Sequence, residues 1–198
     1  MQITALMVKD LRERTGAPMM DCKGALQESD GDVDKAIDIL RTKGLSAAAK
    51  KAGRATLEGM VGQYVHAGGK LGVLVEVNCE TDFVACTEDF QKLVKDIAMH
   101  IAAADPQFVS RDEVSADVLE KEREIFRQQA LETGKPENVI DRIIAGKVEK
   151  FYSQAVLLEQ PFVKDTDTTV GDMIGEVVGR IRENIQVRRF ARYKLGDD

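Results

Sequence analysis

Two carboxylates and a large aromatic side chain stand together just after a strongly apolar stretch of this 198-residue chain. Apart from Glu76, residues 73–77 are apolar and mostly β-branched, which predicts a largely buried strand that leads into Glu80, Asp82 and Phe83. A stiff strand that ends in a short turn can hold an aromatic ring away from the body of the protein. The more common alternative is that Phe83 folds back into the core, while Thr81 and Asp82 act as turn or cap residues.

Residues suited to catalysis or metal binding are few. The two histidines, His66 and His100, are far apart in sequence, and Cys79 and Cys86 lie outside the usual zinc-ligand spacing. Cys79 with His100 could form a nucleophile–base pair, but a buried cysteine beside a hydrogen-bonded histidine is the more common arrangement. Residues 68–71 lack the Ser/Thr and the earlier glycine of a phosphate-binding loop. We therefore expect no enzyme activity, no cofactor, no metal and no nucleotide site on this chain.

The composition is that of a soluble globular protein, with 43% hydrophobic and 31% charged residues. The net charge of -6 argues against a nucleic-acid partner, because such binders usually carry a basic surplus. No apolar run approaches the roughly 20 residues of a membrane span, and the N-terminus lacks the pattern of a secretion signal. An odd number of cysteines without scaffold spacing favours a reducing compartment, so we expect a cytoplasmic protein.

The first 45 residues predict a bundle of three short helices. Thr4 can cap the first helix, which ends at Thr15 and Gly16; Pro18 suits the start of the second. Asp32 can cap a third helix that we expect to end at Gly44. Residues 46–56 are rich in good helix formers and have almost no apolar face, which predicts a solvated, partly helical linker.

Residues 57–198 predict an α+β core. A strand over 60–67, a Gly68-Gly69 turn and a strand over 71–79 form a hairpin, and a strand over 185–193 can complete a small antiparallel sheet of about three strands. Helices are expected to pack on this sheet, because three strands alone are too few to be stable. They start near Thr87, at Ser115 (stopping at Gly134), at Pro136 and near Thr169.

A pair of adjacent apolar residues is a second candidate for contact with a partner protein. Met19 and Met20 are adjacent at the start of the second helix, so their side chains point in different directions and burial of both is not expected. Core filling is the common use of methionine, and an adaptable contact on an exposed surface is the alternative.

Two segments carry a resemblance to a known family. Residues 11–23 read Leu-Arg-Glu-Arg-Thr-Gly-Ala-Pro-Met-Met-Asp-Cys-Lys, and residues 76–85 read Glu-Val-Asn-Cys-Glu-Thr-Asp-Phe-Val-Ala. They closely resemble the two signatures of the translation elongation factor Ts family. Residues 98–103, 159–163 and 184–190 are similar to further segments of that family, so the likeness follows nearly the whole chain in order.

The resemblance implies a guanine-nucleotide exchange factor for elongation factor Tu, with a ubiquitin-associated-like (UBA-like) helical domain at residues 1–45, a linker at 46–56 and a dimerisation and Tu-binding core at 57–198. The family motif that enters the partner's nucleotide-binding domain and disturbs its Mg²⁺ site maps onto four residues, Thr81, Asp82, Phe83 and Val84. Contacts of the helical domain map onto Arg12, Met19, Met20 and Lys23. Further core contacts map onto Leu71, Gly72 and His100.

The chain resembles the short form of the family, because a single hairpin and signature are followed directly by the C-terminal segments. Long members carry two core subdomains, so the resemblance implies that two copies of this chain form a homodimer. Two other hypotheses stay open at this point: a UBA-like adaptor without exchange activity, and a hydrolase that uses Cys79 with His100.

Overall fold

A computed structural model describes residues 3–132 and 136–197 and confirms an α+β fold. The described helices are α1 (Ala5–Thr15), α2 (Met19–Glu28), α3 (Val33–Lys51), α4 (Asp82–Ala85), α5 (Glu88–Ala104), α6 (Ala116–Leu131), α7 (Glu137–Ala155) and α8 (Val170–Ile181). The strands are β1 (Glu58–Val65), β2 (Leu71–Cys79), β3 (Pro161–Phe162), β4 (Asp165–Thr169) and β5 (Ile185–Lys194). The main antiparallel sheet has the order β1-β2-β5, and β3 pairs with β4.

The chain divides into two compact units. Unit 1 contains Met1–Val61, Val77–Val94 and Asp172–Gln186, and unit 2 contains Gly62–Glu76, Lys95–Gly171 and Val187–Asp198. The chain passes from one unit to the other within β1, β2, α5, α8 and β5. The three-part division into domain, linker and core stays a prediction.

In unit 1, α1, α2 and α3 form the expected bundle around a small apolar core. Thr4 caps α1 by accepting a hydrogen bond from the Met7 N–H, and Asp32 caps α3 by accepting from two backbone N–H groups. α2 follows Pro18. The buried core residues are Val8, Leu11, Ala17, Cys22, Ala25, Leu26 and Ala36. The predicted helix boundaries are therefore correct here, apart from the end of α3.

The expectation that Gly44 ends the third helix is wrong, because α3 continues to Lys51. Glycine is common just after a helix end, and inside a helix it costs about 1 kcal/mol relative to alanine, so the local pattern favours a stop. In the structure Gly44 packs against α8, where Gly179 is the residue without room for a side chain: a Cβ on Gly179 would lie 2.8 Å from the Gly44 Cα, whereas a Cβ on Gly44 would lie 3.9 Å from the Gly179 Cα. A Cβ on Gly175 would lie 2.7 Å from a methyl carbon of Leu45, so this part of α3 is not solvated all round.

The hairpin of β1 and β2 forms where the sequence predicts it. Gly68 and Gly69 both have positive φ, +92° and +68°, and the His66 N–H donates to the Leu71 carbonyl at 2.8 Å. β1 begins at Glu58, two residues earlier than expected, because Gly59 passes so close to β2 that a Cβ would lie 2.2 Å from the Val77 carbonyl oxygen. In β2, alternate side chains are buried, namely Val73, Val75, Val77 and Cys79.

Unit 2 contains a helical pair and a second, very short hairpin. α6 and α7 pack through Ala130, Ile140, Ile144 and Val148, and Ser115 caps α6 as predicted. The hairpin of β3 and β4 was not predicted from the sequence. The predicted stop of α6 at Gly134 lies outside the described residues.

The approach of α3 and α8 makes a stability prediction. Gly179→Ala should lower the free energy of unfolding by roughly 1–3 kcal/mol, because the added methyl group meets the Gly44 backbone and the helices must separate. Gly146→Ala in α7 is the matched control: its Cβ would have no heavy atom within 4 Å, so stability should rise by about 0.5–1 kcal/mol. Urea denaturation followed by circular dichroism measures both. Equal stabilisation by the two substitutions would contradict the close helix contact.

Candidate functional site

Phe83 is held at the surface directly after β2. β2 ends at Cys79, Thr81 caps the four-residue helix α4, and Phe83 lies in that helix with 79% of its surface exposed. The alternative that Phe83 folds back into the core is therefore wrong. Thr81 is a cap residue, as the same alternative expected, so the turn and the exposed ring occur together.

Thr81 and Val84 hold the turn of the motif 81–84, and Val84 is the one buried residue of the four. The Thr81 hydroxyl oxygen accepts a hydrogen bond from the Val84 N–H at 3.4 Å, and the Val84 side chain is only 5% exposed. Asp82 and Phe83 are both exposed. A partner can therefore reach the carboxylate and the ring, while the residues at either end fix α4 to unit 1.

Glu183 fastens the start of α4 to the segment between α8 and β5. Its two carboxylate oxygens accept hydrogen bonds from one residue: Oε1 from the Thr81 hydroxyl at 2.7 Å and Oε2 from the Thr81 N–H at 3.0 Å. Hydrogen bonds to an ionised acceptor are stronger than neutral ones, and two bonds from one carboxylate also fix the orientation. The backbone and the side chain of Thr81 are thus held by the same group.

Glu80 makes a second connection to the same segment. Its Oε1 accepts a hydrogen bond from the Asn184 N–H at 2.6 Å and lies 3.4 Å from an Arg54 guanidinium nitrogen. The buried Asn184 side chain donates in turn to the carbonyls of Ala52 (3.3 Å) and Arg54 (2.8 Å). The residues before α4 are therefore tied both to the 182–184 connection and to the chain after α3.

A second cap secures the other end of α4. The Thr87 hydroxyl donates to the Val84 carbonyl at 2.7 Å and accepts from the Phe90 N–H at 3.3 Å. One residue thus closes α4 and begins α5, whose Phe90 is fully buried. Phe83 projects from a turn that is fixed on both sides.

The predicted contact residues of the helical bundle are all exposed. Met19 and Met20 are 43% and 73% exposed at the start of α2, and Arg12 and Lys23 are exposed on α1 and α2. Cys22 between them is buried in the bundle core. Two exposed thioether side chains and two exposed cations thus lie on α1 and α2 of the bundle.

The three core residues predicted as further contacts differ in exposure. Leu71 and Gly72 are half-buried at the start of β2, whereas His100 is fully buried in unit 2. His100 accepts a hydrogen bond from the Val163 N–H at Nδ1 (3.3 Å), and its Nε2 donates to the Gln160 side-chain oxygen at 2.8 Å. Burial lowers the pKa of His100 and outweighs the opposing effect of Gln160. These contacts favour a role in holding residues 160–163.

The environments of Cys79 and His100 do not support a nucleophile–base pair. Burial raises the pKa of the Cys79 thiol, the charge of Glu183 raises it further, and the sulfur donates to the Thr81 carbonyl at 3.1 Å. A protonated thiol is a poor nucleophile. Both ring nitrogens of His100 form hydrogen bonds within unit 2. His100 is therefore not placed to act as the general base that the hydrolase hypothesis requires.

Two kinds of feature are absent from the described residues, 3–132 and 136–197. Those residues contain no group of three or more His, Cys, Asp or Glu side chains arranged to hold a metal ion. None of the helices in those ranges is long and apolar enough to cross a membrane.

Comparison with known proteins identifies the family of this chain. The family model described as Elongation factor TS matches residues 33–197. The chain is 64% identical to Elongation factor Ts of Geobacter metallireducens, over 100% of this chain and 91% of the relative. It is 60% identical to Elongation factor Ts of Caldanaerobacter subterraneus, over 98% of each chain. The chain belongs to the elongation factor Ts family.

Members of this family are translation elongation factors, which agrees with the expectation from the two signature segments. The family model begins at residue 33, after the first signature. The similarity at residues 11–23 is supported instead by whole-chain relatives such as Elongation factor Ts of Desulforamulus reducens, which is 61% identical over 99% of this chain and 90% of its own length.

Sequence reasoning missed the residues that support the motif. Glu183 lies 102 positions after Thr81, and no local pattern connects an acid at a helix end with a turn that distant in the chain. Asn184 was included in a segment similar to the family, but nothing in the sequence assigned it to the motif. Arg54 lies in the stretch predicted as a solvated linker.

Burial of neutral His100 predicts a pH-dependent stability. His100 remains unprotonated in the folded state while the unfolded chain takes up a proton, so its contribution is complete above about pH 6.5 and is lost as the pH falls below that value. The free energy of unfolding should decrease by up to about 1.4 kcal/mol per pH unit from this group.

Urea denaturation at a series of pH values from about 7.5 to 5.5 tests this prediction against the histidine value of about 6.5. His100→Gln should lower stability overall and remove this slope. His66→Gln should retain it, since His66 is exposed. An identical slope in the wild type and in His100→Gln would contradict the assignment.

Proposed function

We propose that this chain is the guanine-nucleotide exchange factor of elongation factor Tu, and that the motif 81–84 promotes GDP release by disturbing the Mg²⁺ site of that partner. Membership of the elongation factor Ts family supports the role in translation elongation. The observation that carries the proposal is the exposed Phe83 ring on a turn fixed at both ends. A large apolar side chain displayed in this way is suited to insertion into another protein.

An exchange factor makes and breaks no covalent bonds, and this defines what the chain has to do. It must bind the nucleotide-free partner more tightly than the nucleotide-bound one, and by thermodynamic linkage the nucleotide then weakens binding of the factor by the same ratio. Faster release requires a lower barrier to dissociation through a transient ternary complex. The nucleotide stays on the partner, so the negative net charge of this chain is no obstacle.

The Mg²⁺ ion is a suitable target because it is among the strongest local charges in a nucleotide site. Insertion of Phe83 beneath the loops that support the ion would move its ligands or their waters. Asp82, exposed beside the ring, would compete electrostatically or accept a hydrogen bond from a displaced loop. Lowering the dissociation barrier by ~4 kcal/mol would increase the rate about a thousandfold.

The bundle supplies a second contact in this proposal. Met19 and Met20, with Arg12 and Lys23 beside them, offer an adaptable apolar surface for a helix of the partner. Contact at two places raises the effective concentration of the motif at its target. Leu71 and Gly72 are proposed as further contacts on β2, and His100 as a residue that holds residues 160–163 in place for binding.

Homodimerisation is also a proposal, based on the short form of the chain. The main sheet has β1 and β5 as its two edge strands, and β1 exposes Val61 and Val65. Exposed edge strands offer unpaired backbone groups to another chain. Light scattering of the purified chain measures the oligomeric state directly.

Phe83→Ala should leave the fold intact and reduce stimulated GDP release strongly, because the ring is exposed and contributes little to the core. Asp82→Ala should act in the same direction but less. The measurement is release of fluorescent GDP from elongation factor Tu, with circular dichroism as the control for folding. Tyr193→Ala, which removes an aromatic ring that is 72% exposed elsewhere, should leave the rate unchanged. Full stimulation by Phe83→Ala would contradict the proposed role of the ring, whereas a wild-type chain that does not accelerate GDP release would favour the adaptor hypothesis.

Met19→Ala/Met20→Ala should chiefly weaken binding to elongation factor Tu, by at least about tenfold in Kd, because two apolar side chains are lost from the contact. Titration calorimetry with nucleotide-free elongation factor Tu measures the constant. Leu6→Ala is the matched control, because Leu6 is an exposed apolar residue of the same bundle, on α1. An unchanged Kd in the double variant would remove the bundle contact from the proposal.

A further inference from the structure

One of the groups that hold the turn of Phe83 is a carboxylate that lies outside the motif and outside both signature segments. Glu183 is contributed by the connection between α8 and β5, and it accepts both hydrogen bonds from Thr81, the residue that caps α4. α4 has only four residues, fewer than a helix needs to be stable by itself in water. The direction in which Phe83 points is therefore set by what holds the cap.

We propose that Glu183 is a positioning residue for nucleotide exchange: its carboxylate holds Thr81 by the backbone and the hydroxyl group and thereby fixes the direction of Phe83. The proposal rests on the function proposed above and adds a residue to it. Glu183 does not reach the partner in this scheme and acts only through Thr81.

The geometry requires two hydrogen-bonding atoms on one planar group. Glutamine at position 183 retains them, because its oxygen can accept from the Thr81 N–H and its amide nitrogen can donate to the Thr81 hydroxyl oxygen. Alanine retains neither and leaves the N–H to water. Glu183→Gln should therefore preserve the direction of the ring, and Glu183→Ala should release it.

The chain contains no tryptophan, so Phe83→Trp introduces a single fluorescent reporter at the position of interest. We expect lower fluorescence anisotropy of Trp in Phe83→Trp/Glu183→Ala than in Phe83→Trp alone, measured without any partner. Phe83→Trp/Glu183→Gln should match Phe83→Trp. The control is Phe83→Trp/Glu28→Ala, which removes an ion-paired glutamate of the same unit and should also match Phe83→Trp. Equal anisotropy in all four proteins would overturn the proposal.

Exchange kinetics separate positioning from a general loss of stability. GDP release from elongation factor Tu is measured as a function of factor concentration, for the wild type and single variants with Phe83 retained. Glu183→Ala should lower the maximal rate about tenfold, as expected for loss of charge-assisted hydrogen bonds, with little change in the half-saturating concentration. Glu183→Gln should restore most of the rate. A partly unfolded variant would instead raise the half-saturating concentration and keep the maximal rate, and that result would overturn the positioning role.

The proposed function and this inference fail in different ways. If Phe83→Ala stimulates GDP release fully, the ring of the motif does not promote release. The anisotropy measurements still decide whether Glu183 holds residue 83. If Phe83→Ala is impaired and Glu183→Ala exchanges as the wild type does, the motif stands and the positioning role of Glu183 is wrong.

Discussion

The exposed ring of Phe83 depends on the pairing of Glu183 with Thr81. A phenyl ring in water gives up about 1.5–3 kcal/mol that burial would provide, so a chain free to rearrange would turn it inward. A four-residue helix has too few internal hydrogen bonds to resist that rearrangement. The carboxylate of Glu183, the buried Val84 and the two-sided cap of Thr87 supply the missing restraint. Display of the ring is thus a property of unit 1 and not of the motif alone.

The connection between α8 and β5 joins more of unit 1 than the motif. Arg182 has a φ of +69°, a conformation that costs a residue other than glycine roughly 1–2 kcal/mol, and its guanidinium pairs with Asp21 of α2. Both side chains of this ion pair are partly exposed, so the pairing offsets only part of that cost. Asp21 directly follows Met20 on α2. Three consecutive residues, Arg182, Glu183 and Asn184, therefore contact α2, the motif and the chain after α3, and both proposed contact groups depend on one short turn.

Local signals in the sequence were sufficient for most of the fold. Caps at Thr4, Asp32 and Ser115 and the glycine pair of the hairpin act through neighbours in sequence, and each was found where its side chain or φ angle required it. Predictions from the sequence failed where contacts with residues distant in the chain decide the structure. The local pattern at Gly44 indicates a helix stop, but α3 continues there and packs against α8. Nothing near Glu183 in the sequence indicates its hydrogen bonds to Thr81. The motif itself was identified by resemblance, while the residues that hold it required the structure.

The strength of the support bears on how a lever of this kind can act. If insertion of the motif is to lower the dissociation barrier by ~4 kcal/mol, deformation of the turn that carries it must cost a similar free energy. Otherwise the turn would deform instead of the partner's metal-binding loops. Hydrogen bonds to an ionised group contribute up to about 1.5–3 kcal/mol each, and less where water screens them, as at the exposed Thr81; a buried apolar anchor such as Val84 adds a similar amount. Together these contributions are of the same order as the barrier change required of the ring. Thr81 and Val84 are therefore as necessary to the proposed exchange as Asp82 and Phe83: the first two hold the turn in place, and the second two supply the carboxylate and the ring proposed to act on the partner.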